Sequence, residues 1–170
     1  MLEGAAGTRN LLELDWCKVL SNDARTLGVA KQVVGPRAKP VRAILFDKSP
    51  QANWNLGWHQ DTKIAVKRRL DVPGFTAWSE KEGIAHCQPN QAILEQSLAI
   101  RIHLDPCGPA NGPLQVIPGS HRQGIQTTMK DDPAQQEIAC QAEQGDTLLM
   151  RPLLWHASSK SQSPSHRHPH

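Results

Sequence analysis

Hydrophobic residues recur at helical spacing only in the first part of this chain. Between residues 9 and 34, leucines and valines recur at roughly helical spacing, and the Ser-Asn-Asp stretch at 21–23 is typical of a break with a new helix N-cap. Gly35 and Pro36 are residues that end helices. We therefore predict a helical N-terminal flank over residues 1–40.

From residue 41 onward, the pattern changes to short strands separated by turn residues. In the clearest of them, hydrophobic residues occupy every second position from Leu98 to Leu104, which is the period of a strand. The other predicted strands lie at 41–46, 63–66, 114–117, 138–142, 147–150 and 155–158. Many short strands with glycine and proline between them favour a mainly β fold, here a jelly roll with flanking helices.

Residues 71–92 interrupt the strand pattern with proline, glycine and a charged run at 79–82. A long excursion beside a candidate site is often a lid or a substrate loop, so we predict that role, with a passive surface loop as the alternative. The length favours a single domain over 1–170, with a jelly-roll core over 41–170 that contains this insert.

Composition and charge exclude several classes of protein. The formal net charge is only +3 and the basic residues are scattered, so we expect no nucleic-acid partner. We find neither a membrane-length apolar stretch nor a signal-peptide pattern, which predicts a cytoplasmic protein without a membrane partner, as a monomer or homodimer. The widely spaced cysteines are predicted to be reduced thiols: Cys17, Cys87, Cys107 and Cys140.

Two His-x-Asp pairs are candidates for metal binding. They are His59-x-Asp61 and His103-x-Asp105, and in either pair the side chains point to the same side of a strand. The first pair follows an irregular loop, which suits a metal with open coordination positions, so we predict that this pair holds the metal. The second lies inside a regular strand and is predicted to be a polar lining, although His103 could reach a substrate or a metal ligand.

A third ligand has to come from a distant histidine. His156 follows a hydrophobic strand-like run, whereas His86 lies in the predicted insert, His121 lies in a turn, and the others crowd the C-terminus. Two histidines and one carboxylate form the facial triad that holds Fe(II) and leaves positions open. The predicted triad is His59, Asp61 and His156.

Two further residues, both C-terminal to His156 in the sequence, extend this prediction. Ser158 follows it by two positions and Arg167 by eleven, so a strand, a turn and a returning strand would bring Arg167 back beside the metal. A guanidinium is a permanently charged, bidentate receptor for a carboxylate. We predict that Arg167, with a hydrogen bond from Ser158, binds the far carboxylate of a dicarboxylic 2-oxoacid. A solvated arginine near the C-terminus is the alternative.

Several motifs taken together resemble the phytanoyl-CoA dioxygenase family, from about Val41 to Arg167. They are Trp-His-Gln-Asp at 58–61, Asn-Gly-Pro-Leu at 111–114 with Ile-Pro-Gly-Ser-His at 117–121, Gly-Asp at 145–146, and His156-x-Ser158 with Arg167. The resemblance implies a double-stranded β-helix with Fe(II) on His59, Asp61 and His156. It also implies 2-oxoglutarate as the co-substrate on the iron, with its distal carboxylate at Arg167 and Ser158.

By the same similarity, Ile44 and Arg101 border the co-substrate, and the segment 111–121 has a structural role. The implied reaction uses O2 to hydroxylate an unactivated C–H of a small molecule, releasing succinate and CO2. In the family the arginine opens a strand that closes the sheet, whereas this sequence stops at His170, so we expect the last strand to be missing. A cupin-type metalloenzyme that needs no oxoacid and an inactive or binding jelly-roll domain are the alternatives.

Overall fold

The N-terminal part of the protein is helical. The computed structural model describes residues 7–129, 135–162 and 164. A short 3-10 turn leads into α1, a stretch of π-helix follows, and α2 completes the flank; α3 lies later in the chain. Their bounds are Leu11–Glu13 (3-10), Asp15–Asn22 (α1), Ala24–Gly28 (π), Val29–Val34 (α2) and Gln91–Glu95 (α3).

The predicted break between the first two helices lies at Asp23. Its carboxylate accepts a hydrogen bond from the backbone N–H of Arg25 at 2.8 Å, as an N-cap residue does, and the Arg25 side chain pairs with the same group. At the other end, Gly35 takes a φ of 99°, a conformation that side chains disfavour, and α2 stops there. The prediction of a helical flank is thus confirmed for the described residues.

Nine strands follow within the described part of the chain, and their pairings are antiparallel. They form a four-stranded sheet in the order β1-β9-β6-β7, a three-stranded sheet β2-β4-β3 and a pair β5-β8. The predicted mainly β, jelly-roll fold is confirmed. The strands are Leu56–His59 (β1), Ile64–Val66 (β2), Thr76–Lys81 (β3), Ile84–Gln88 (β4), Ala99–Ile102 (β5), Leu114–Val116 (β6), Ile138–Cys140 (β7), Thr147–Met150 (β8) and His156–Ser158 (β9).

The predicted strand at 41–46 is wrong. Within the described residues, this extended segment pairs only at Leu45, which forms an isolated bridge with Thr8. Val41 and Phe46 are more than half exposed, at 61% and 52%. A short hydrophobic run predicts a strand only where a partner strand covers it, and the sequence pattern alone does not reveal the missing partner.

The insert at 71–92 contains a β-hairpin over residues 76–88. Its strands β3 and β4 pair with each other, and β4 also pairs with β2. Lys81 lies opposite Ile84, so the turn has two residues, Glu82 and Gly83, with φ of 52° and 77°. Positive φ at both positions is typical of a type I′ hairpin turn, and Glu-Gly lacks the Asn or Asp that usually signals one. The lid role stays a prediction.

The hydrophobic core lies between the four-stranded sheet and the β5-β8 pair. Leu114 and Val116 of β6 cluster with Met150 of β8, and four partly buried hydrophobic residues pack around them: Ala99, Cys140, Leu148 and Leu154. Because strand side chains alternate in direction, Arg101 shares the face of Ala99, which points toward the core. Among the described helices, none has the length and apolar character that crossing a bilayer requires.

Candidate metal centre

Three side chains meet where β1 ends and β9 begins. His59 ends β1 and lies opposite His156, the first residue of β9, and their ring centroids are 4.1 Å apart. Asp61 follows β1 by two residues, and its Oδ2 is 3.8 Å from Nε2 of His156. One ligand atom from each residue lies within 4.8 Å of the others. The structure thus brings together the three residues of the predicted triad, at separations that one metal ion can bridge.

Both histidines have their ring nitrogens arranged for a metal. Nδ1 of His59 lies 2.8 Å from the carbonyl oxygen of Gly57, and Nδ1 of His156 lies 2.8 Å from that of Leu154. A carbonyl oxygen only accepts, so each Nδ1 carries the hydrogen and donates it. Each Nε2 is left with a lone pair, the form in which imidazole binds metals. Two such nitrogens and a carboxylate oxygen are the donor set that fits Fe(II).

Gln60, between His59 and Asp61, anchors this region. Its side chain is buried, and its Nε2 donates to the carbonyls of Gly124 and Leu153 at 2.9 and 2.7 Å. Its Oε1 accepts from the backbone N–H of Gln126 at 2.8 Å. Sequence reasoning missed this residue, because an amide between two polar ligands carries no pattern that separates a buried anchor from an exposed side chain.

A further hydrogen bond joins the residues that follow β1 to the turn that precedes β9. The backbone N–H of Asp61 donates to the carbonyl of Pro152 at 2.8 Å, next to the Leu153 carbonyl that Gln60 holds. The turn before β9 is therefore attached to the residues that follow β1. This attachment fixes the spacing between His156 and the other two members of the triad.

The Pro-Gly-Ser segment supports His156 from the other side. Ser120 is almost fully buried, and its Oγ accepts a hydrogen bond from the backbone N–H of Trp155 at 2.9 Å. The N–H of Ile117 donates to the carbonyl of Trp155 at 3.0 Å. Both the N–H and the carbonyl of Trp155, the residue directly before His156, thus form hydrogen bonds with the segment 117–120. This is a structural role of the kind that the resemblance implied.

Burial and positive charge keep His156 neutral. Burial lowers the pKa of His156 below its ordinary value, and His59 and Arg101 act in the same direction. The Leu154 carbonyl and the Asp61 carboxylate oppose this change by favouring the protonated ring. Because burial is the largest influence on this pKa, the ring is neutral at physiological pH and its Nε2 is free to bind a metal.

Ser158 lies on the same side of β9 as His156 and contacts a lysine that sequence reasoning missed. The Nζ of Lys48 donates to Oγ of Ser158 at 2.7 Å and to the carbonyl of Gly112 at 3.3 Å, and it also contacts the carbonyl of Ser159. Lys48 is half-buried, in a turn-forming stretch of the sequence where a lysine usually faces solvent. Only the tertiary structure brings it to β9.

The other predicted site residues differ in where they lie relative to the triad. Arg101 is half-buried on the inner face of β5, close enough to lower the pKa of His156, whereas Ile44 lies in the extended segment before β1. Arg167 lies outside the described residues. His103 is buried and belongs to no metal-binding cluster of the described chain; its N–H donates to the Asp146 carbonyl at 2.9 Å. Its predicted role as part of a polar lining stays a prediction.

The model of the phytanoyl-CoA dioxygenase family matches residues 5–169 of this sequence. The chain belongs to this family. Enzymes of the phytanoyl-CoA dioxygenase family use Fe(II) and 2-oxoglutarate, and the donor set of the triad fits the metal of that chemistry. The predicted family membership is thus confirmed.

Solved structures resemble this family member in fold. EctD from S. alaskensis in its apoform superimposes with a TM-score of 0.68 at 21% identity, over 94% of this chain and 53% of that chain. AviO1 from Streptomyces viridochromogenes Tue57 has a TM-score of 0.60 at 23% identity, over 94% of this chain and 62% of that chain. EvdMO1 has a TM-score of 0.62 at 22% identity, over 94% and 33%.

The chain therefore spans between a third and two thirds of the length of these solved structures. No curated protein matches the chain. At such identities the solved structures establish the fold, and the activity has to be argued from the residues of the site.

Proposed function

We propose that this protein is a non-haem Fe(II)- and 2-oxoglutarate-dependent dioxygenase that hydroxylates an unactivated C–H of a small molecule. The other products would be succinate and CO2. The observation that carries the proposal is the cluster of His59, Asp61 and His156, whose ligand atoms lie within 4.8 Å of one another. Membership of a family whose enzymes use both Fe(II) and 2-oxoglutarate supports it.

In this proposal the protein supplies geometry and the metal supplies oxygen chemistry. The lone pairs on Nε2 of His59 and His156 and one oxygen of Asp61 would hold Fe(II) on one face. Fe(II) held there with open positions would supply the oxygen chemistry that a C–H bond requires. The hydrogen bonds of Gln60 and Ser120 hold the two strand ends in place, so the three ligands need little rearrangement when the metal binds.

The co-substrate would lie on the side of the triad toward Ser158 and Arg101. Ser158 follows His156 on the same side of β9, and Arg101 points toward the core from the facing strand pair. By similarity to the family, Arg167 and Ile44 would complete this site. The positive charge of Arg101 suits the carboxylates of 2-oxoglutarate. A small-molecule substrate and O2 are the expected partners, and the cytoplasm stays the predicted location.

Comparing the two His-x-Asp pairs tests this proposal. Asp61→Ala should abolish stoichiometric Fe(II) binding and the formation of succinate from 2-oxoglutarate, while Asp105→Ala should retain both. Iron binding can be measured by calorimetry under anaerobic conditions, and succinate by mass spectrometry with a panel of lipids, acyl-CoA esters and small metabolites. Equal loss in both variants would contradict the assignment of Asp61. Turnover of a substrate without 2-oxoglutarate would favour a cupin-type metalloenzyme.

A further inference from the structure

A buried histidine of the hairpin has the same ring arrangement as the two histidines of the triad. His86 of β4 is 2% exposed, and its Nδ1 lies 2.9 Å from the carbonyl oxygen of Ile84, two residues earlier in the chain. His59 and His156 make the corresponding contact with the carbonyls two residues before them. Since a carbonyl oxygen only accepts, Nδ1 of His86 carries the hydrogen and its Nε2 has a lone pair.

This lone pair has no partner within the described part of the chain. Nε2 of His86 is fully buried and accepts no hydrogen bond from any described residue. Among those same residues, His86 belongs to no group of three possible metal ligands. Leaving a buried acceptor unpaired is costly, and the large majority of buried polar atoms have a partner. The nitrogen is therefore suited to a ligand that donates a hydrogen bond.

The face of the sheet that carries His86 continues from the triad. Residues 60–63 connect β1 to β2 without a turn or bend, so side chains alternate, and Lys63 and Ala65 point to the same side as Asp61. Ala65 lies directly opposite His86 in the β2-β4 pair, and residues directly opposite each other share a face. Ala65 follows Asp61 by four residues, which places His86 about 13 Å along the strand from the triad, a distance that a metabolite-sized molecule spans.

A serine on the same face supplies a complementary group. Ser79 of β3 lies directly opposite His86, and its Oγ accepts a hydrogen bond from Nζ of Lys63 at 3.0 Å, so these side chains share one side of the sheet. Accepting leaves the hydroxyl hydrogen of Ser79 available to donate. The site thus offers an acceptor at His86 and a donor at Ser79. An alcohol hydroxyl is the group that can donate to the first and accept from the second.

We propose that His86 is a substrate-binding residue whose Nε2 accepts a hydrogen bond from a hydroxyl group of the substrate, with Ser79 as the donor to the same oxygen. The substrate of this dioxygenase is then an alcohol, and the hydrogen bond fixes it with its reacting C–H toward the metal. This inference rests on the proposed function, and it gives the hairpin a role in selecting the substrate. The competing role for His86 is structural, with a resident water at Nε2.

Two small probes of nearly the same shape separate these roles. 2-Propanol has an O–H that can donate, whereas acetone can only accept. The protein would carry ¹⁵N-labelled histidine and Zn(II), which is diamagnetic and would occupy the triad. Accepting a hydrogen bond moves the ¹⁵N resonance of an unprotonated ring nitrogen upfield. We expect 2-propanol to move the Nε2 resonance of His86 upfield in a saturable way, and acetone to leave it in place.

Variants of His86 assign this resonance. His86→Asn keeps a side-chain N–H for the Ile84 carbonyl and removes the acceptor, so its spectrum should lack the Nε2 resonance. If His86→Asn does not fold, His86→Gln assigns the resonance instead, and the comparison of probes on the wild-type protein still decides. A resonance that 2-propanol does not move, or that acetone moves equally, would overturn the role of His86. Absence of a Zn(II)-dependent change at His59 and His156 would instead overturn the proposed function, and it is read from separate resonances.

The same preference should appear in the reaction. Within the panel of lipids, acyl-CoA esters and small metabolites, the compound that most stimulates succinate formation should be an alcohol. Its O-methyl ether should have a kcat/KM about 10- to 100-fold lower, because the ether leaves the buried Nε2 of His86 unpaired. His86→Asn should turn over the alcohol and the ether with nearly equal kcat/KM, and His86→Gln should retain part of the preference.

Glu80→Gln is the matched control, since Glu80 is exposed and follows Ser79 on the opposite face of β3. This variant should retain the full preference for the alcohol. A preferred substrate without a hydroxyl, or the same preference in His86→Asn as in the wild type, would overturn the proposal.

Discussion

At the scale of single residues, the side chains of the triad depend on neighbours that lie outside it. Carbonyls two residues earlier in the chain orient both imidazoles, at Gly57 for His59 and at Leu154 for His156. Gln60 adds three hydrogen bonds from its buried side chain. Replacing groups that orient metal ligands in this way typically costs about 10- to 100-fold in metal affinity.

Replacing Gln60 should therefore weaken the metal site. Gln60→Leu keeps the side-chain volume but leaves the Leu153 carbonyl and the Gln126 N–H without their partner. We expect Fe(II) affinity to fall about 10- to 100-fold and the free energy of unfolding to fall by about 1 to 3 kcal/mol. Calorimetry and urea unfolding measure the two effects. Gln141→Leu, at an exposed position, is the control, and an equal effect there would contradict the anchoring role.

Acid should destabilise the metal-free protein through His156. Its pKa is lowered in the folded state, so below about pH 6.5 the unfolded chain binds a proton that the folded chain resists. The free energy of unfolding should thus decrease as the pH falls below about 6.5 and be independent of His156 above it. Burial lowers the pKa of His121 as well, so wild-type protein must be compared with His156→Gln. Urea unfolding between pH 5 and 8 should show a shallower slope in His156→Gln, and identical slopes would contradict this explanation.

At the scale of elements, local sequence patterns predicted the helix breaks and strands that depend mainly on neighbouring residues. The break at Asp23 and strand β8 lie where hydrophobic spacing and turn residues placed them. The run at 41–46 was mispredicted, because pairing with a distant strand decides whether a hydrophobic run becomes a strand. Lys48 and Gln60 were missed for the same reason, since their contacts join residues about 60 to 110 positions apart.

The element that carries His156 should be sensitive to Ser120. Ser120→Ala leaves the buried N–H of Trp155 without an acceptor, which costs about 1 to 3 kcal/mol of the free energy of unfolding. Because His156 is the next residue, Fe(II) affinity should fall as well. Thermal unfolding and calorimetry test both effects, with Ser159→Ala as an exposed control. Unchanged Fe(II) affinity in a destabilised Ser120→Ala protein would show that the segment supports the fold without positioning His156.

At the scale of the whole molecule, the jelly roll brings distant parts of the sequence to one site. Antiparallel pairing of β1 with β9 places His59 opposite His156, and the facing strand pair supplies Arg101. The triad could be predicted from the sequence because its pattern of residues is specific when combined with the family motifs. The surroundings of Ser158 could not be predicted from the sequence, because they are built from turns and sheet faces that no short motif describes.

The most direct test of the central claim is the visible spectrum of the protein with Fe(II) and 2-oxoglutarate under anaerobic conditions. An oxoacid bound to Fe(II) through its carboxylate and keto oxygens gives a weak charge-transfer band, so we predict that the band forms only when protein, metal and co-substrate are combined. It should be absent in Asp61→Ala and present in Asp105→Ala. Protein with bound Fe(II) and no band on addition of 2-oxoglutarate would contradict the account.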